Sequence, residues 1–357
     1  MNPFSSGTSI PSIQNKKPIK LGIAGLSHDH VRWIFDREGK SDIEIVGIWE
    51  SNAMLATKYR NDYKLDGIPF YTKLQEMLDK SKPEAVCAFT SIAGHLEVVE
   101  QCAVRGIHVM VEKPLHFSLE HAQIMARLAK QNKIHLLTNF QTSWYASTHY
   151  ANFLAFQSEI LGDVWKVVFH DGHKGPKEKG CSKEFLNWLT DPKENGAGAI
   201  VDFGCYGPNI MTWMMKGEMP LSVLAIKQTI KPEIYSQVDD EAVILLEYPK
   251  AQAVIQASWN WPINRKDIEI YGKRGQLIVE DHQNVRIRKS EDASEEIVIC
   301  PQMEAPLDDP FSYFAAVVEG IIQPGEYDLS SINLNVAVVA ILEAAIQSAN
   351  TGKKIYL

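Results

Sequence analysis

Ile107-His108-Val109-Met110-Val111-Glu112-Lys113-Pro114 is the stretch that decides how the chain is read. Four of its first five residues are apolar, the pattern of a short strand buried on both faces in a parallel sheet covered by helices. The run then stops on an acid, a base and a proline. In open α/β sheets ligands sit beyond the carboxyl ends of the strands, so Lys113 stands where chemistry would occur. Pro114 fixes the backbone just after it, and an X-Pro bond is where a cis peptide costs least. Taken alone, a surface lysine before a turn proline accounts for the pattern at least as well. The flanking sequence decides between the two.

Upstream, Ile19–Ala24 reads as a strand, followed by the turn Gly25-Leu26-Ser27-His28-Asp29-His30 and a helical start over Val31–Asp36 with Asp29 as candidate N-cap. Ile43–Trp49 is a second strand closed by Glu50, and Asn52–Tyr59 is helical. Pro69–Tyr71 and Ala85–Phe89 read as strands, and Leu74–Leu78 and His95–Val104 as helices, the latter ended by Gly106. Downstream of Pro114, Ser118 is placed to cap a helix reaching about Asn132, and Ile134–Leu137 is a last strand ending in Thr138-Asn139. Short apolar strands alternating with helices predict an α/β fold with a doubly wound parallel sheet.

The turn after the first strand is an altered dinucleotide fingerprint. Gly25 holds the first glycine position, Ser27 the second and His30 the third. Glu50, 25 residues past Gly25, ends the second strand, where ribose hydroxyls are read. A carboxylate there disfavours a 2′-phosphate, so NAD is expected over NADP, with NADP still possible. His28 and His30 also raise a metal reading. It needs further ligands that do not stand nearby in sequence, so no metal is expected and a cofactor contact is the stronger reading.

The second half is strand-rich: Val164–His170, Leu221–Ile230, Glu241–Tyr248, Ala251–Trp259, Asp267–Tyr271, Gln276–Glu280, Val285–Lys289 and Ile297–Ile299. Such a meander predicts a largely antiparallel sheet with one face covered. Helices follow over Phe311–Glu319 and Ser331–Ala349. Between the first two strands, a glycine-rich turn from Asn195 leads into a helix expected to carry Asp202 and Tyr206 four residues apart on one face. An acid/base tyrosine with a nearby lysine and a helix-start Asp beside a packed Tyr explain this pattern equally well. Trp144, Tyr145, His170, His173, Lys177, Trp188, Trp259 and Trp261 supply aromatic faces and bases compatible with a carbohydrate pocket, although packing is their commoner role.

Composition bounds the rest. The 357 residues suit two domains, and 45% hydrophobic with 22% charged residues is ordinary for a globular chain. A net charge of -8 argues against nucleic acid as a partner. No run of about 18 apolar residues predicts a membrane span. The five cysteines form no CxxC pair and read as reduced packing residues of a cytoplasmic protein. The expected division is a loose arm over residues 1–18, a nucleotide-binding domain over 19–140 and a substrate-binding, oligomer-forming domain over 141–357.

From Lys20 onward the chain resembles the Gfo/Idh/MocA family of nicotinamide-dependent oxidoreductases. Glu112-Lys113-Pro114 is similar to its E-K-P motif. Thr90-Ser91 with His95 resembles T-P-x-x-x-H, with Ser for Pro, and Asp202–Tyr206 resembles D-x-G-x-[HY] in the tyrosine form of the glucose–fructose oxidoreductase branch. The resemblance implies a Rossmann domain, a second α+β domain with a large open sheet, a cis Lys113-Pro114 bond and homodimers or homotetramers formed through that sheet. It implies hydride transfer between nicotinamide and a secondary hydroxyl of a sugar, polyol or glycoside. Lys113 would hold the reacting oxygen, Tyr206 would shuttle the proton with its pKa kept low by Lys113, and Asp202 would position either. Gly25, Ser27, His28, His30, Glu50, Thr90, Ser91, His95, Glu112, Lys113 and Asn139 are the expected cofactor contacts. Trp144, His173, Lys177, Trp188 and Trp259 are the expected substrate contacts. Two other activities fit the same resemblance: glycoside hydrolysis by transient oxidation and elimination, and a non-catalytic sensing role.

Overall fold

The computed structural model describes residues 17–158 and 160–357, so the arm expected over residues 1–18 lies almost wholly outside the described part. The first sheet has six parallel strands in the order β3-β2-β1-β4-β5-β6. These are β1 (Ile19–Ala24), β2 (Ile43–Trp49), β3 (Phe70–Tyr71), β4 (Ala85–Ala88), β5 (His108–Glu112) and β6 (Leu136–Asn139). Strands β4, β5 and β6 are buried almost end to end, β4 and β5 as their unbroken apolar runs require. Helices cover both faces, which gives two separate cores. This is the doubly wound sheet expected from the sequence.

Two capping expectations fail. Asp29 does not cap the short helical turn Asp29–Val31; His28 stands at the N-cap and its Nδ1 accepts from the His30 N–H. Ser118 is at the N-cap of Leu119–Asn132 but makes no side-chain cap bond. Asn52 does cap Ala53–Asp62, through Met54 and Leu55.

The second sheet has nine strands in the order β14-β13-β12-β11-β7-β10-β9-β8-β15. They are β7 (Val164–Gly172), β8 (Ser222–Gln228), β9 (Glu241–Glu247), β10 (Gln252–Ser258), β11 (Arg265–Gly272), β12 (Gln276–Val279), β13 (Asn284–Arg288), β14 (Glu296–Ile299) and β15 (Ile355–Tyr356). Every pairing is antiparallel except β7 with β10. Alternation along these strands sends Ile244, Leu246, Ala253, Ile255, Ile268 and Ile270 into a core under the helices. The opposite face keeps exposed Ile226, Val243, Leu245, Ile297 and Ile299.

One helix ties the two units together. Ile332–Thr351 packs on β8, on Leu119–Asn132 and on Tyr206–Met214, and its Val339 lies in a core of the first sheet. Its length and apolar composition would suffice to cross a membrane, but half of it is buried here, and core packing explains its character. The helix Pro310–Val318 likewise returns to the first sheet, placing Phe311, Phe314 and Val317 among the side chains of β1 and β4.

Candidate active site

A cavity of about 500 Å³ opens between the two sheets, lined from the first by His28, His30 and Lys113 and from the second by Asp202, Tyr206 and Lys266. Glu112 ends β5, and the Lys113-Pro114 peptide that follows is cis, as the motif implied. The Lys113 Nζ reaches across to the second domain, donating to Asp202 Oδ1 at 2.5 Å and to the Asp202 carbonyl at 2.7 Å. The indole Nε1–H of Trp259 donates to the other carboxylate oxygen, Oδ2, at 2.9 Å. Burial opposes the charge on both groups, yet each outweighs that cost for the other: Lys113 is held above its ordinary value and Asp202 below. An ammonium ion fixed in a cleft can donate to an oxygen on which negative charge develops.

Asp202 and Tyr206 do not share one helix. Ala199–Asp202 is a single turn, Phe203 to Cys205 break it, and Tyr206 opens the helix Tyr206–Met214. The glycine-rich approach has a steric reason. A Cβ on Gly198 would lie 1.7 Å from the Asp239 carbonyl oxygen, and the Asp239 carboxylate accepts from the Gly198 and Ile200 amides. Both Asp202 and Tyr206 still line the cavity.

Tyr206 corrects another expectation. Its pKa is not lowered by Lys113: burial, with Cys205, Asp202 and Asp171 nearby, pushes it well above its ordinary value. Lys113 Nζ sits 5.2 Å from its ring centroid, and a second ammonium, that of Lys266, lies 3.3 Å from it. Lys266 is opposite Asp171 in the β11–β7 ladder. Burial lowers the Lys266 pKa and raises that of Asp171. Sequence reasoning missed both. The expected strand began at Asp267 instead of Arg265; two residues more would have put Lys266 in register with buried Ile268 and Ile270.

The altered fingerprint folds as a tight turn. Gly25 has φ +82°, and an added Cβ would lie 2.8 Å from the Thr90 side chain, so glycine is required. Glu50 ends β2 beside this turn, accepting from the Leu26 and Asn52 amides at 2.8 Å each. Burial raises its pKa. His28 and His30 rise from the turn into the cleft, and burial with His30 and Lys113 nearby holds His28 well below its ordinary pKa. Glu112 Oε2 meets His30 Nδ1 at 2.9 Å, and its Oε1 accepts from Asn139 Nδ2 at 2.8 Å. The turn, the acid after β2 and the open strand ends suit a dinucleotide.

Several expected contacts belong elsewhere. Ser91 Oγ donates to Glu194 of the second domain at 2.6 Å, so its hydroxyl serves the domain junction, and Thr90 Oγ1 donates locally to the Ser91 carbonyl. His95 is fully buried, with Nδ1 on the Leu115 carbonyl, and burial lowers its pKa to about 4. Asn139 is a buried strut between Glu112 and the Trp144 indole. Trp259 is fully buried and holds Asp202; no sugar can stack on it. Trp188 packs on His28 and donates to the Ser27 carbonyl, which places Ser27 at the junction too. Trp144 faces an adjoining cavity of about 360 Å³, and Lys177 lies outside the cleft lining. Of the five expected substrate contacts, only His173 lines the cleft. Its Nδ1 accepts from the Gly175 amide, and burial lowers its pKa to about 4, so the neutral ring presents Nε2–H.

A parallel sheet with a fingerprint turn, joined to an open sheet that completes the cleft, defines a two-domain dinucleotide-binding protein. Residues 19–140 match the family described as "Oxidoreductase family, NAD-binding Rossmann fold", and residues 154–278 match the "GFO/IDH/MocA C-terminal domain". The chain belongs to the Gfo/Idh/MocA family. It is 28% identical over 169 residues to a trans-1,2-dihydrobenzene-1,2-diol dehydrogenase of Xenopus tropicalis, covering 46% of each chain. The first such curated relatives are matched over about half their length or less. A 1,5-anhydro-D-fructose reductase of Ensifer adhaerens is 22% identical, with 90% of this chain and 95% of that protein covered. Among solved structures, an aldose-aldose oxidoreductase from Caulobacter crescentus has the same fold at TM-score 0.78 and 20% identity, covering 95% of this chain and 100% of that one.

Proposed function

We propose that the protein is an NAD-dependent oxidoreductase that moves a hydride between nicotinamide and a secondary hydroxyl of a sugar, polyol or glycoside, in the tyrosine-bearing branch of its family. The observation that carries this reading is the charged Lys113 held between the domains by Asp202 and, through it, by Trp259. The bound cofactor supplies the hydride acceptor or donor. The Lys113 ammonium donates to the reacting oxygen, and Asp202 keeps that ammonium charged and aimed. Tyr206, a phenol protonated at neutral pH, gives the proton in the reductive direction. Glu50 selects NAD over NADP by repelling a 2′-phosphate. Relatives named for diols, anhydrofructose and D-xylose support a polyhydroxylated substrate.

The exposed apolar residues on the open sheet face fit a second copy of the chain, giving a homodimer or homotetramer through that sheet, and we place the protein in the cytoplasm. The test is a spectrophotometric screen of sugars, polyols and glycosides with NAD and NADP in parallel. Reduced nicotinamide should accumulate with NAD and a polyhydroxylated substrate. Tight NAD binding with no turnover of any such compound would refute the reading.

A further inference from the structure

We propose that His28, His30 and Glu112 form a site for a first-row divalent transition metal of the zinc type, with a coordination position open to the interdomain cleft. One candidate ligand atom from each of the three lies within 4.8 Å of the others. Two imidazoles and one carboxylate are a donor set that zinc and its neighbours accept with a further position left for water or substrate. His28 and His30 both line the cleft, so an ion held there is reachable.

The donors are held by contacts outside the set. Glu112 and Asn139 are partners in the β5–β6 ladder, and Asn139 Nδ2 binds Oε1, leaving Oε2 turned toward His30. Asn139 is in turn fixed by the Trp144 indole at 2.8 Å. Such outer contacts orient metal ligands and tune affinity. The His30 ring stacks on Trp33 at 3.7 Å, and the His28 ring is held against Phe185 and Trp188 of the second domain. The two imidazole rings lie 4.5 Å apart, centroid to centroid, beside the Glu112 carboxylate.

His95 is not part of this donor set: it is fully buried and its Nδ1–H donates to the Leu115 carbonyl. Binding replaces the His30–Glu112 hydrogen bond.

The test titrates Co²⁺ into the full chain after chelator treatment and dialysis, following visible d–d absorption and confirming with Zn²⁺ by calorimetry. Saturation at one ion per chain, with a Kd below about 10 µM, supports the site. His30→Ala and Glu112→Gln should each weaken binding by at least about tenfold. Absence of saturable binding to the wild type overturns the proposal without recourse to a variant, as does binding unchanged in both variants. NAD is titrated separately into the metal-free chain. NAD binding without metal binding sinks this inference alone; metal binding without NAD binding sinks the proposed function alone.

Discussion

Replacing Asp202 by Asn keeps the shape of the side chain and removes the charge that Lys113 is built around. The Lys113 and Asp202 side chains are 7% and 8% exposed, and their contact is 2.5 Å. Removing one member of a buried pair leaves the other without compensation and costs about 3–5 kcal/mol. With a urea m-value of about 3 kcal/mol/M, the midpoint should fall by roughly 1–1.7 M at pH 7. The pH dependence gives a second check. Asp202 is depressed, so its contribution is present above the unfolded carboxyl pKa near 3.9 and lost as pH falls through its folded value. Lys113 is raised, so its contribution is present below the unfolded value near 10.4 and lost as pH rises through its folded value. The difference between wild type and Asp202→Asn should therefore form a plateau from about pH 5 to 9 and narrow on both sides. A difference below about 1 kcal/mol at pH 7 would place this contact among exposed ion pairs and refute the argument.

Lys113→Ala should abolish measurable turnover while NAD titration by calorimetry stays close to wild type; loss of NAD binding would make Lys113 a cofactor anchor. Tyr206→Phe should lower kcat about 10²-fold or more if the phenol is the proton donor, whereas a near-wild-type rate would leave only ring packing against Phe140 and Lys266. Glu50→Gln should narrow the preference for NAD over NADP, measured as the ratio of their dissociation constants. Gly198→Ala forces a Cβ against the Asp239 backbone and should lower stability by about 3 kcal/mol or more, read from soluble yield and thermal unfolding; a silent substitution would contradict the close approach.

Much of this was legible in the sequence because one physical rule sufficed for each feature. Continuous apolar runs such as Val109–Val111 marked strands buried on both faces, and Glu112-Lys113-Pro114 marked a strand end where a ligand is met. The run of strands joined by turns marked a largely antiparallel sheet with one face covered, whose buried side includes Ala253, Ile255 and Ala257. The site was less legible because roles there depend on contacts between distant segments. Trp259 reads as a sugar platform until its indole is seen to hold Asp202, 57 residues away. His95 and Ser91 read as cofactor contacts until their partners, Leu115 and Glu194, are known. Lys266 was hidden by a strand start misplaced by two residues. The third donor near His28 and His30, Glu112, is 82 residues beyond His30 and arrives only through the strand order.

The return of residues 310–351 to the first sheet has a consequence for biosynthesis. The β1–β6 segment leaves the ribosome before residues 310–351, and domains generally begin to fold as they emerge. Its cores are sealed by Phe311, Phe314, Val317 and Val339, which are translated nearly two hundred residues later. Until then the nascent nucleotide-binding half carries uncovered apolar surface, which chaperones recognise and neighbouring chains can capture. The two halves can close on each other, and the cleft between them form, only after Ile332–Thr351 has been made.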